Sequence, residues 1–184
     1  TRYWRDWSSD VCSSDLIGGW VQPEDVPKNY AQAMKTGEKL GAYVIGRLKQ
    51  PQTLSNSQLV FRRQTVKFPL QNPGFRQLSQ AGVIKRVFSD SVDSEIAFAS
   101  IGNAAMATHP GETSPALSLF TRGIMKNSGP KMILGLSQDA LGYILKPTFF
   151  EPGNSIPHSA YLTSMSVGPQ TMGIIKETLQ TLIK

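Results

Sequence analysis

The sequence predicts an α/β (α+β) fold in which a mixed β-sheet is flanked by helices. The predicted elements run helix, strand, hairpin, helix, strand, helix along the 184 residues, an order that favours a layered domain. Hydrophobic residues make up 40% of the chain and charged residues 17%, which supplies a core and excludes a disordered chain. The length fits one domain or a piece of a larger one.

The first half of the chain predicts a long helix and then a strand. Residues 28–49 have apolar side chains at helical spacing. These are Ala33, Leu40, Val44 and Leu48. Gly37 and Gly41 in this helix indicate close packing against a neighbour. Residues 59–70 alternate as a strand does, and residues 71–93 predict a loop-rich stretch containing one short helix or strand.

A hairpin and a helix are predicted next. Residues 95–112 contain two apolar strands joined at Gly102-Asn103, a two-residue turn typical of hairpins. Residues 113–130 predict a helix, with Ser114 as the N-cap and Pro115 at the first helical position, where proline is tolerated.

The last third predicts a buried strand, a loop and a closing helix. The strand covers residues 131–137 and the loop residues 138–147. Residues 167–184 predict an amphipathic helix, with apolar side chains at 3-4-3 spacing. These are Met172, Ile175, Leu179 and Leu182.

The net charge of +6 is compatible with an anionic partner. The basic residues are scattered, however, and the tightest groups are Arg62-Arg63 and Lys85-Arg86. No nucleic-acid-binding signature accompanies them, so we predict no nucleic-acid partner. No run of 18 apolar residues encodes a transmembrane helix, and the sequence selects no compartment.

Two polar stretches follow predicted strands. Glu112, in "THPGET", lies between a strand and a helix start, where the helix dipole favours a carboxylate. Asp139 and Tyr143 follow the next strand. If these strands are parallel neighbours, their carboxyl ends lie side by side, and sites in open sheets gather there. Glu112 could be a metal ligand or general base, or it could be an ordinary helix-start residue. Tyr143 could belong to the same site, or it could only anchor its loop.

The chain contains two histidines, His109 and His158. His109 and Glu112 could supply two zinc ligands from one loop, but a histidine before proline in a turn is more often structural. His158 has no second ligand nearby in sequence, and no close-spaced zinc signature occurs. Gly-x-Ser-x-Gly and Gly-x-Gly-x-x-Gly are also absent.

Several ordered stretches resemble the neutral/alkaline non-lysosomal ceramidases. "SEIAFASIGNAAMATHPGETSP" resembles the family's two strands leading to Pro-Gly-Glu, and "KMILGLSQDALGYIL" its next strand and tyrosine loop. "SVGPQTMGIIKETLQTLI" is similar to the family's Gly-Pro-x-Thr motif and closing helix, and "NYAQAMKTGEKLGAYVIGRL" to an earlier helix. The resemblance covers residues 17–184 and implies the C-terminal portion of a ceramidase-like catalytic domain.

The resemblance implies a zinc-dependent amidase that splits N-acylsphingosine, or a related N-acyl lipid of bacterial relatives, into a sphingoid base and a fatty acid. It assigns Glu112 and Tyr143 as zinc ligands. The family's two zinc histidines, and its Gly-Asp-x-Ser-Pro-Asn motif with a serine near the zinc, lie in an N-terminal half that this chain lacks. We therefore expect an incomplete fragment that binds zinc weakly and is inactive alone, with no catalytic residue of its own assigned. The lipid substrate makes peripheral membrane contact possible.

The opening residues 1–16 differ from everything that follows. They hold Cys12, which is the only cysteine, and two of the three tryptophans. "DWSSDVCSSDL" resembles a translated sequencing-library adapter, so we expect an artefact that is disordered in the protein. Without this stretch, thiol chemistry is excluded.

Two other readings stay open. One is a non-catalytic lipid- or glycan-binding relative that keeps the fold without the metal. The other is a basic nucleic-acid-binding domain, which predicts a contiguous positive face and salt-dependent DNA binding.

Overall fold

The computed structural model describes residues 29–51 and 53–184. The helices are α1 (Tyr30–Leu48), α2 (Pro73–Gln80), α3 (Pro115–Ile124), a 3-10 helix (Pro147–Phe150), α4 (Ser159–Ser164) and α5 (Thr171–Leu182). The strands are β1 (Leu59–Pro69), β2 (Ser91–Ile101), β3 (Ala104–Thr108), β4 (Glu112–Thr113), β5 (Lys131–Leu134) and β6 (Tyr143–Ile144). The expected artefact at residues 1–16 lies outside the described residues.

The main sheet is mixed and flanked by helices, which confirms the predicted fold class. Its four strands lie in the order β1-β2-β3-β5, so β1 forms one edge. The pairs β1–β2 and β2–β3 are antiparallel, and β3 and β5 are parallel. The predicted hairpin is confirmed, because β2 and β3 are joined by Gly102-Asn103 and pair from Ile101 and Ala104 onward.

Helices α3 and α5 build the core with this sheet. Helix α5 packs against β1 and β2, and α3 packs against α5 and β5. The side chains that meet there are fully buried, which removes apolar surface from water and stabilises the fold. They include Phe68, Ile96, Leu117, Ile133, Ile175 and Leu179.

Helix α3 begins as its sequence predicts and ends early. Ser114 is the N-cap residue and Pro115 the first helical residue. The last helical residue is Ile124, and Met125 already has extended backbone. The expectation that the helix reaches Gly129-Pro130 is therefore wrong: Met125 is 1% exposed, so it leaves the helix to enter the core.

Helix α1 has no buried residue. Its N-cap is Asn29, whose side chain accepts a hydrogen bond of 2.9 Å from the Gln32 N–H. A Cβ added at Gly37 or Gly41 would meet nothing within 4 Å. The expected close packing at these glycines is therefore wrong within the described residues. Across the described part of the chain, we find no helix whose length and hydropathy suit a membrane span.

Candidate functional site

Two loops after parallel strands are joined by backbone hydrogen bonds. The loop after β3 runs from His109 to Gly111, and the loop after β5 covers residues 135–142. The Leu136 N–H donates to the Gly111 carbonyl at 3.1 Å, and the Leu141 N–H to the Pro110 carbonyl at 2.8 Å. The parallel pairing of β3 and β5 places these loops side by side, as the sequence predicts.

These two loops lead into β4 and β6, a second parallel pair whose register sets Glu112 directly opposite Tyr143. The Glu112 N–H donates to the Gly142 carbonyl at 2.9 Å, and the Ser114 N–H to the Ile144 carbonyl at 3.1 Å. Side chains opposite each other in a strand pair lie on the same face. The two sequence-predicted site residues are therefore brought together.

The Glu112 carboxylate has an unused acceptor. Its Oε2 atom is buried and has no hydrogen-bond partner in the structure. An unpaired buried carboxylate oxygen is unfavourable, because it has lost its water without a replacement. Such an atom fits a site completed by a bound cation or proton donor.

Tyr143 contacts both Glu112 and a second tyrosine. Its hydroxyl forms side-chain hydrogen bonds with Glu112 and with Tyr161, and the rings of Tyr143 and Tyr161 lie edge to face with centroids 6.1 Å apart. Tyr161 lies on α4, a six-residue helix absent from the sequence prediction. No local signal marks it, since its approach to Tyr143 is purely tertiary.

The surroundings keep the Tyr143 phenol protonated. Burial raises the pKa of Tyr143 above its usual 10.0, and the negative charge of the Glu112 carboxylate raises this pKa further. Both effects disfavour a phenolate. A cation between the two oxygens would reverse the second effect, because it neutralises the carboxylate field and stabilises the phenolate.

The backbone before Tyr143 is held by the segment that follows α4. The Tyr143 N–H donates to the Met165 carbonyl at 3.0 Å, and Gly142 forms an antiparallel bridge with Ser166. The Asn72 side-chain amide donates to the Ser164 and Ser166 carbonyls at 2.8 and 2.9 Å. Tyr143 therefore sits on a fixed backbone.

Asp139, the other polar candidate of this loop, is engaged elsewhere. Both of its carboxylate oxygens accept hydrogen bonds from Arg86 Nη1, each at 2.8 Å. Its side chain is 18% exposed. We therefore interpret Asp139 as an anchor of the loop that carries Tyr143.

The two histidines differ in burial: His109 lies in the interior and His158 on the surface. His109 is fully buried and hydrogen-bonds through both ring nitrogens to threonine hydroxyls. Burial lowers the pKa of His109 from 6.5 to about 3. This favours the structural reading of His109 over the zinc-ligand reading. His158 is exposed, precedes α4 and has a backbone φ of 59°.

Glu112 and Tyr143 supply two oxygen donors, a chemistry that zinc accepts from proteins. Among residues 29–51 and 53–184, no group of three or more His, Cys, Asp and Glu side chains could hold a metal ion. The donor types and the unpaired Oε2 fit a zinc ion, while the number of donors falls short of the three protein ligands typical of catalytic zinc.

A surface cavity of about 260 Å³ lies apart from these two residues. Neither Glu112 nor Tyr143 lines it. Its walls come from the start of α2, the 3-10 helix, α4 and the turn before α5, and include Asn72, Phe150, Thr163 and Gly168.

Comparison with known proteins gives a structural likeness. No protein-family model matches the chain, and no curated protein matches it. The fold is similar to the crystal structure of neutral ceramidase from Pseudomonas aeruginosa, with a TM-score of 0.53 and 11% sequence identity. The match covers 89% of this chain and 34% of the ceramidase chain. The chain thus has a ceramidase-like fold over about a third of that enzyme's length.

Proposed function

We propose that this chain carries part of the active centre of a zinc-dependent amidohydrolase that acts on ceramide or a related N-acyl lipid. The observation that carries the proposal is the pairing of Glu112 with Tyr143 across β4 and β6, with one buried carboxylate oxygen left without a partner. The likeness of the fold to a neutral ceramidase supports the same reading.

Glu112, Tyr143 and Tyr161 have different roles in this proposed centre. Glu112 and Tyr143 would bind the metal through oxygen, and two histidines that are not in this sequence would complete the zinc ligands. Zinc bound there would polarise the amide carbonyl and lower the pKa of its water toward about 7. Tyr161 holds the Tyr143 hydroxyl in place by the hydrogen bond between them. The products are a long-chain amine and a fatty acid.

Zinc titration by calorimetry tests the ligand assignment. We expect the chain to bind Zn²⁺ with a Kd weaker than about 1 μM, because it offers two ligands rather than three. Glu112→Gln and Tyr143→Phe are each expected to weaken this binding by roughly tenfold or more. Glu151→Gln and His158→Asn, which change an exposed carboxylate and an exposed imidazole, are the matched controls and are expected to bind as the parent does.

Two results would contradict this expectation in different ways. Stoichiometric binding tighter than about 1 μM would show that the chain supplies a fuller set of ligands. Equal affinity in the parent, Glu112→Gln and Tyr143→Phe would remove the metal centre from this site.

Helix α1 is the part of the described chain that suits a lipid surface. Its exposed apolar side chains repeat at helical spacing, with Met34 67%, Ile45 58% and Leu48 73% exposed. Lys35 and Lys39 lie among its polar positions, a pattern typical of helices that lie in the interface of anionic membranes. Such a helix would keep the site near a membrane-embedded substrate.

Vesicle co-sedimentation tests this membrane contact. We expect binding to vesicles of phosphatidylcholine with phosphatidylserine, weakened at least about threefold by Leu48→Glu because an apolar anchor is replaced by an anion. Leu119→Glu, which changes a leucine on α3 of similar exposure (66%), is the control. Equal binding by both variants and the parent would exclude α1 as the contact.

A further inference from the structure

Three buried polar side chains form a chain of hydrogen bonds beside the candidate site. His109 Nδ1 lies 3.0 Å from Thr113 Oγ1, and His109 Nε2 lies 3.0 Å from Thr121 Oγ1. His109 and Thr121 are 0% exposed and Thr113 is 1% exposed. We call these three residues the His109 bridge. The His109 bridge has no role in the proposed zinc chemistry described above.

The hydrogen bonds of the bridge fit one form of the imidazole. The Thr113 hydroxyl donates to the Gly111 carbonyl at 3.4 Å, so it accepts from His109 Nδ1–H. Nε2 then accepts from the Thr121 hydroxyl. This uses one donor and one acceptor, which is what a neutral imidazole offers. Since every member is satisfied, the bridge selects one arrangement of its elements rather than several.

The bridge joins the backbone on both sides of Glu112. His109 lies in the loop before β4, Thr113 is the residue after Glu112 on β4, and Thr121 lies in α3. Successive side chains of a strand point to opposite faces. A hydrogen bond that holds Thr113 in the interior therefore turns Glu112 to the opposite face, where Tyr143 lies.

We propose that His109 is a positioning residue whose imidazole, bonded to Thr113 and Thr121, holds β4 so that Glu112 faces Tyr143. The role in metal binding rests on the proposed function, whereas the effect on the geometry of Glu112 and Tyr143 does not. A bulky apolar residue at position 109 would fill the same space but form neither hydrogen bond, so Thr113 would keep only the Gly111 carbonyl and Thr121 would lose its imidazole partner.

Two substitutions separate the two ends of the bridge. In His109→Asn the side-chain amide reaches the place of Nδ1 and can keep the bond to Thr113. In His109→Gln it reaches the place of Nε2 and can keep the bond to Thr121. Ile133→Val shortens a fully buried side chain of β5 and is expected to destabilise the core while leaving the bridge in place.

The measurement is the nuclear Overhauser effect between the Tyr143 ring protons and the Glu112 side chain, taken at constant pH on folded protein. We expect His109→Asn to keep most of this intensity, His109→Gln to lose at least about half of it, and Ile133→Val to keep all of it. A merely structural role predicts equal intensity in all four proteins, because only folded molecules contribute to the signal. That result would overturn the proposal.

Zinc affinity is the second readout. We expect His109→Gln to weaken Zn²⁺ binding about tenfold, as the loss of a group that orients a ligand does, and His109→Asn to weaken it less. If Glu112→Gln leaves the zinc affinity unchanged while His109→Gln still loses the Tyr143–Glu112 signal, the metal function fails and the positioning role stands. If Glu112→Gln weakens zinc binding and His109→Gln alters neither readout, the positioning role fails and the metal function stands.

Discussion

Replacing Gly142 with alanine is expected to destabilise the protein by roughly 3 kcal/mol or more and to displace Tyr143 from Glu112. Gly142 has a φ of +75°, and an added Cβ would overlap the Met165 carbonyl oxygen. That carbonyl accepts a hydrogen bond from the Tyr143 N–H. If the carbonyl moves away, this hydrogen bond breaks and Tyr143 is no longer held opposite Glu112. Urea denaturation followed by circular dichroism measures the loss.

Two other glycines separate the causes of this effect. Gly153 has a similar φ of +71° but no atom within 4 Å of an added Cβ. Gly153→Ala is therefore expected to cost only about 1 kcal/mol of conformational strain. Gly173 lies inside α5 with open space around it, so Gly173→Ala is expected to stabilise the helix by up to about 1 kcal/mol. If Gly142→Ala were no worse than Gly153→Ala, the close approach to Met165 would be unimportant.

A second large effect is expected in acid. Burial lowers the pKa of His109 from 6.5 to about 3. Between these two pH values the imidazole is protonated in the unfolded chain and neutral in the folded protein. The stability from the neutral buried imidazole is complete above pH 6.5 and is lost as the pH falls toward 3. The slope reaches about 1.4 kcal/mol per pH unit from this one group.

The test is the pH dependence of the free energy of unfolding, compared between the parent and His109→Gln. Glutamine does not titrate, so we expect the slope between pH 6 and pH 4 to be smaller in the variant by about 1 kcal/mol per pH unit. The charged side chains on the elements that hold the imidazole are Glu112 and Arg122. The parent and His109→Gln both keep these two side chains. Ile133→Val, which lowers stability without removing a titratable group, is expected to leave the slope unchanged. Parallel pH curves for the parent and His109→Gln would falsify this prediction.

Local signals in the sequence were sufficient to predict most of the regular structure. The two-residue turn at Gly102-Asn103 predicts the hairpin, because such turns match the twist of paired strands. Ser114 followed by Pro115 predicts the start of α3 for an equally local reason, since both suit a helix N-terminus. Helix α5 begins at Thr171, a few residues inside its predicted range, where the apolar spacing starts.

The candidate site was predictable in outline. Glu112 and Tyr143 each follow a strand of one parallel pair, which predicts that they meet. Their own strands, β4 and β6, have two residues each, too few for any periodicity. Tyr161 approaches Tyr143 from α4 through contacts between residues distant in sequence, and no spacing rule anticipates such contacts.

The end of α3 and the surroundings of α1 show where tertiary packing overrides local signals. Met125 continues a helical pattern, yet it turns into the core because burying its side chain removes apolar surface from water. Gly37 and Gly41 resemble packing positions, yet α1 has no buried residue. Packing density around a glycine depends on its neighbours in space, and the sequence does not specify them.

The outer strand β1 has a consequence for self-association. No described strand pairs with its outer side, and eleven residues of open strand edge, with Phe61 60% exposed, would template edge-to-edge pairing and aggregation. Strand β1 carries Arg62, Arg63 and Lys67. Arg63 pairs with Glu95 of β2 at 3.0 Å, whereas Arg62 and Lys67 would bring like charges together in two aligned copies. Basic residues on this strand thus disfavour edge-to-edge pairing of two copies.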